Sequence, residues 1–146
     1  MKILLDTQCW LWCFLAPDRL NPHTRDLLVE QRHPVYLSAA SSWEIAIKVV
    51  LGRLRLPEPP ARYVPSRLAD AGMSALPIEH AHALAVAGLP PRHADPFDRL
   101  LVAQAAMEKM ALVTADPEVM AYDEAETIWG SNDEPPPRAR RRPRRP

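Results

Sequence analysis

Short runs rich in leucine, isoleucine and valine alternate along this chain with stretches of helical period, and that alternation limits the folds open to it. KILLDT (2–7) reads as a buried strand ending in an acid, PVYLSA (34–39) as a second strand and MSALPI (73–78) as a third. ALVTAD (111–116) reads as a fourth strand and ETIW (126–129) as a last short one. Between them, Asn21-Pro22-His23 sets a capping residue and a first-turn proline at the start of one helix. From Ser42, the residues Trp43, Ile45, Ala46, Ile47, Val49 and Val50 form a broad apolar helical surface halted by Gly52. Further helices are expected over about 60–71, over EHAHALAVAGL up to Gly88, and over 96–109, with a helical turn from Pro117. Strands alternating with helices in this way call for a three-layer α/β/α sandwich around a mostly parallel sheet.

The 146 residues suit a single domain, and 47% apolar content gives it a core. That domain is expected over 1–130. Residues 131–146, dominated by Pro and Arg, are expected to be a disordered basic tail. The tail's six arginines hide an asymmetry in a net charge of zero, because residues 1–130 hold 12 basic and 16 acidic side chains. Such a tail can add sequence-blind affinity for RNA, fold back on the acidic body, or simply stay solvated. No apolar run approaches ~20 residues, so no membrane span is expected. The N-terminal stretch MKILLDTQCWLWCFLAP is interrupted by Asp6 and Gln8 and shows no clean cleavage site, which argues against a signal peptide. Cys9 and Cys13, four apart, read as packed thiols in a reducing cytoplasm.

Each prominent acid has a local explanation. Asp95 before Pro96 is an N-cap with Asp98 at the third helical position, Asp116 before Pro117 is another cap, and Ser41 and Glu44 have capping-box spacing. Their shared address argues for more. Asp6 closes the first strand, Glu44 lies in the turn after the second, Asp98 opens a central helix and Asp116 ends the fourth strand. In an open parallel sheet these positions border one crevice. Carboxylates ~5 Å apart repel by roughly 3 kcal/mol per pair at an effective dielectric of ~20, so a fold that gathers them calls for a cation. Oxygen-only donors favour Mg²⁺ or Mn²⁺ over zinc.

Four segments carry a family likeness: LLDT (4–7), SAASSWEIAIKVVLGRLRLP (38–57), HADPFDRLLVAQA (93–105) and LVTADPEV (112–119). Over residues 1–129 the chain resembles the PIN-domain family, in its VapC-type branch of toxins from bacterial toxin–antitoxin modules. The resemblance implies a PIN-like fold and a Mg²⁺-dependent endoribonuclease neutralised by a cognate antitoxin and typically dimeric. It places the acidic quartet on Asp6, Glu44, Asp98 and Asp116, with Asp95 a fifth acid in reach. Two departures adjoin the site and bear on substrate preference: Gln8 stands where relatives commonly have histidine, and Ala94 where they have arginine.

In that setting Asp6 and Asp98 are the expected direct metal ligands, and Glu44 orients or deprotonates a water. Asp116 serves a second ion or an outer-shell water. Thr7 and Thr114 either hydrogen-bond these carboxylates or are ordinary strand residues. His93 is either a solvated loop residue or a contact for RNA or its leaving group. Arg99 either binds phosphate or pairs with an acid, the second being preferred. Trp10, Trp12 and Phe14 form an apolar surface for core or partner, in preference to a platform for RNA bases. Two rival readings stand beside the nuclease: a non-catalytic RNA- or protein-binding module using the basic tail, and an α/β protein phosphorylated on an aspartate. Against the second, Asp6-Thr7-Gln8 lacks another aspartate two residues on.

Overall fold

Strands β1 (Lys2–Leu5), β2 (Val35–Ser38), β3 (Ser74–Leu76), β4 (Met110–Thr114) and β5 (Thr127–Trp129) form one sheet in the order β3-β2-β1-β4-β5. All four neighbouring pairs run parallel, as the alternation of elements predicts. The structure is a computed structural model that describes residues 1–129, so the expected basic tail over 131–146 lies outside the described residues.

The helices are α1 (Thr7–Leu15), α2 (Pro22–Val29), α3 (Ala39–Val50), α4 (Pro60–Ala71), α5 (His80–Ala85), α6 (Pro96–Glu108) and α7 (Pro117–Met120). Side chains alternate across β1: Ile3 and Leu5 join a core with Trp10, Ile45 and Tyr63 on one face. Leu4 joins a second core with Leu101, Val102 and Tyr122 on the other. After Lys2 the central strand is therefore apolar and buried at every position, with no solvent face. Leu4, Leu101 and Leu112 are at most 1% exposed, and burial of each contributes about 2 kcal/mol. Among the described residues no helix is long and apolar enough to cross a membrane.

Two elements differ from expectation. Residues 7–15, which the sequence leaves without an element, form α1. Asp6 caps it by accepting the Cys9 N–H at 2.7 Å. Trp10 is fully buried and meets Phe14 and Tyr63 edge-on at 5.0 and 6.1 Å, so it belongs to the core and offers no face to RNA. Trp12 lies under the Arg19 guanidinium, 5.0 Å from ring centre. The second difference is at α3, which starts at Ala39 and not at Ser42. Ser38, buried at the end of β2, takes the N–H of Ala40 and caps the helix directly. Ser41 and Glu44 therefore form no capping box, and Glu44 lies inside the helix and not in a preceding turn.

Strand order places the functional rim. The chain winds outward from β1 through β2 to β3, then returns to the other side of β1 with β4 and β5. The crevice at such a reversal opens beyond the carboxyl ends of the two strands that flank it. Here those are β1 and β4, and the Asp6 N–H bonds the Val113 carbonyl at 2.9 Å, carrying their pairing up to the rim.

Candidate active site

Asp6, Glu44, Asp95, Asp98 and Asp116 line one cavity of about 330 Å³, with Thr7, Gln8, Lys48 and Ala115. Four segments far apart in the sequence supply these acids. Asp6 follows β1, Glu44 projects from α3, Asp95 and Asp98 stand at the start of α6, and Asp116 caps α7 beyond β4.

The capping reading and the shared-site reading hold together. Asp95 Oδ1 accepts the N–H groups of Phe97 and Asp98 at 2.8 and 3.3 Å. Asp116 Oδ1 accepts the Glu118 N–H at 2.9 Å, while its Oδ2 lies 3.3 Å from His93 Nε2. One oxygen thus starts a helix and the other is left for the site. Asp98 caps nothing, and its Oδ2 is 2.9 Å from His93 Nε2. Glu44 is held from two sides. The Thr7 hydroxyl donates to Oε1 at 2.5 Å and Lys48 Nζ lies 3.0 Å from Oε2. Ser41 Oγ stands 2.9 Å from the same threonine hydroxyl. Thr114 takes the Asp116 N–H at 3.1 Å and its side chain also supports the Asp6 carboxylate. Both threonines therefore serve the acids.

A profile of the PIN domain family matches residues 3–125. The chain belongs to the PIN domain family. Ribonuclease VapC16 of Mycobacterium tuberculosis (strain ATCC 25618 / H37Rv) is 50% identical over 68 residues, 47% of this chain and 48% of that protein. The match thus spans about half the length of that curated relative. The VapBC2 structure from Rickettsia felis, bound to a DNA fragment from its promoter, superposes with a TM-score of 0.67 at 13% identity. It covers 88% of this chain and 98% of that one. DNA-bound VapBC from Salmonella typhimurium gives 0.64 at 14% identity, over 88% and 98%. These two likenesses concern the fold.

In this PIN domain the acids are short of compensating charge. Five carboxylates line the cavity, and among the described residues Lys48 and His93 are the basic groups that meet them. Burial raises the Asp6 pKa, against the Cys9 and Thr114 hydrogen bonds, which lower it. Burial, then the charges of Asp95 and Asp6, push Asp98 up to about 7, with His93 pulling the other way. For His93 burial lowers the pKa, but the carboxylates of Asp98, Asp116 and Glu118 outweigh it and the net direction is up. Carboxylates that resist ionising together form a donor set that fits a divalent cation.

The sign of the pH dependence follows. A carboxyl whose folded pKa is raised stabilises the fold below its unfolded value of 3.8, and that contribution is lost as pH rises to about 7. His93, also raised, acts in the same direction. The metal-free protein is expected to melt at progressively lower temperature across this window. A saturating divalent cation at neutral pH should recover the loss. A melting temperature indifferent to both pH and cation would count against a shared site.

Two residues behave differently from the sequence expectation. Among the described residues no carboxylate lies within ion-pair distance of Arg99. Its guanidinium donates to the carbonyls of Pro90 (2.8 Å), Val86 (3.1 Å) and Leu89 (3.4 Å) and to the Tyr122 hydroxyl (3.0 Å). Arg99 thus pins a loop; it neither pairs with the quartet nor is free for phosphate. His93 is no solvated loop residue, because it stands among Asp98, Asp116 and Glu118. Lys48 was not singled out from sequence, although its i,i+4 spacing from Glu44 on a helix was the available signal.

Proposed function

We propose that this PIN domain is a Mg²⁺-dependent endoribonuclease, with Mn²⁺ as a substitute, that hydrolyses RNA phosphodiester bonds and is neutralised by a cognate antitoxin. The observation that carries this reading is the convergence of Asp6, Glu44, Asp98 and Asp116 on one cavity at the reversal of strand order. The ribonuclease name of the half-length relative and the VapBC complexes among the structural neighbours support it.

Asp6 and Asp98 would hold the cation directly, with Asp116 beside them. Bound Mg²⁺ would supply Lewis-acid polarisation of a phosphoryl oxygen and would make a water in its shell easier for a base to deprotonate. The chain does the positioning. Thr7 and Lys48 fix both oxygens of Glu44, so its carboxylate is oriented to take the proton of the attacking water. Lys48 also brings positive charge to a cavity that must accept an anionic phosphodiester.

The partner reading rests on an exposed face. Trp43, Val50 and Leu51 on and just after α3 are 61%, 85% and 59% exposed, an apolar stretch suited to a second copy in a homodimer. Cys9 and Cys13 are free thiols, with burial pushing Cys13 up to about 12, which suits a reducing cytoplasm.

Purified full-length chain with Mg²⁺ is expected to cut RNA endonucleolytically, to stop on addition of EDTA and to resume when Mg²⁺ is restored. A folded protein that binds RNA but leaves every RNA tested intact with either cation would sink the catalytic reading and favour the binding module.

A further inference from the structure

The loop before α6 sets an imidazole against two of the acids that line the cavity. His93 Nε2 lies 2.9 Å from Asp98 Oδ2 and 3.3 Å from Asp116 Oδ2. One donor atom from each of these three residues falls in a single cluster within 4.8 Å. Nε2 is inaccessible to solvent yet makes no properly directed hydrogen bond, so its closeness to the two carboxylates leaves it unsatisfied. Metal–donor bonds of about 2.1 Å at right angles put adjacent donors about 3 Å apart, close to the distance of His93 Nε2 from each of the two carboxylate oxygens.

The ring is oriented from its far side. Coordination through Nε2 requires the proton on Nδ1, and Glu118 Oε2 stands 3.0 Å from that nitrogen. A carboxylate behind the imidazole is the usual support of a metal-binding histidine. The Asp95 N–H also approaches Nδ1, but at 3.4 Å it is the longer contact. The backbone is fixed as well. The His93 N–H donates to the Tyr122 hydroxyl at 3.1 Å, and Arg99 binds that hydroxyl together with three carbonyls of the same loop. Three Arg99 contacts and one Tyr122 contact therefore hold the loop that carries the imidazole.

We propose that His93 enters the metal centre as a nitrogen donor, completing with Asp98 and Asp116 a second cation position that selects a first-row transition ion over Mg²⁺. This deepens the nuclease reading and rests on it. Mg²⁺ is a hard ion that prefers oxygen and water, whereas Mn²⁺ and its neighbours gain from an imidazole. The position shares Asp98 with the one assigned to Asp6 and Asp98.

The test uses full-length protein and Mn²⁺ as the probe. Pulsed EPR of the Mn²⁺-loaded wild type should show coupling to a histidine ¹⁴N nucleus, absent in His93→Ala. Titration calorimetry should show Mn²⁺ affinity falling roughly tenfold or more in that variant, with Mg²⁺ affinity little changed. Absence of nitrogen coupling in the wild type overturns the proposal, whatever the variant's folding. So does an equal loss of affinity for both ions in a folded His93→Ala. Asp6→Asn separates the two levels of the argument. If it left the binding of both ions untouched, the acidic cavity itself would fail as a cation site, and the nuclease reading with it.

Discussion

Asp98→Asn is expected to slow RNA cleavage by at least about a thousandfold, the loss of roughly 4 kcal/mol of transition-state stabilisation. The substitution keeps the side chain's shape and removes its charge. It also leaves helix α6 capped, because Asp95 and not Asp98 accepts the first N–H groups. Loss of activity therefore cannot be charged to a failed helix start. The same change should raise the melting temperature of the metal-free protein, since burial, then the charges of Asp95 and Asp6, push the Asp98 carboxyl toward neutrality. Single-turnover cleavage and a metal-free melt check both halves. Wild-type cleavage, or a lower melting temperature without metal, would make Asp98 a structural residue.

Arg99→Ala is expected to destabilise the fold by roughly 3 kcal/mol, a fall in melting temperature on the order of 10 °C. Four hydrogen bonds from one guanidinium are lost at once, to the carbonyls of Val86, Leu89 and Pro90 and to the Tyr122 hydroxyl. The Val86 and Pro90 carbonyls keep the N–H groups of Leu89 and Arg92 and the Tyr122 hydroxyl keeps that of His93, so the cost lies in the lost charge-assisted bonds and in the Leu89 carbonyl. Arg99→Lys should recover little, because a single ammonium cannot reproduce a planar fork that reaches several acceptors. Urea unfolding of the two variants measures this directly. A change in Arg99→Ala no larger than that of an ordinary surface substitution would mean the loop is held by something else.

The sheet and most helices were legible because their signals are local. Pro96 after Asp95 and Pro117 after Asp116 announce helix starts, and KILL and ALVT are unbroken apolar runs apart from Lys2 and Thr114 at their ends. Helix α1 was hidden for the opposite reason. TQCWLWCFL is apolar on nearly every side, so it has no amphipathic period, and its alternating Trp10, Trp12 and Phe14 suggest an extended surface. The cap of α3 was misplaced because Ser38 and Ser41 are equally good capping residues in sequence, and only burial at the end of β2 chooses between them.

Of the site, the aspartates could be found because each follows a strand or opens a helix beside the strand-order reversal, whereas Glu44 lies a turn and a half into α3. The roles of His93 and Arg99 could not. Both depend on how the loop from Val86 to His93 folds back on α6 and α7, a long-range arrangement without a periodic or capping signature. Arg99 directly follows an acid, which invites an ion-pair reading. Its side chain leaves in another direction and meets neutral carbonyls instead.

The double use of Asp6, Asp95 and Asp116 bears on how quickly the cavity can load. Helix starts already immobilise these side chains, so capturing an ion freezes little further rotamer freedom and requires no refolding. Carboxylates fixed in this way form a preorganised cage for a cation. Ion exchange should then be governed by the shedding of water from the arriving cation, with the polypeptide scarcely moving.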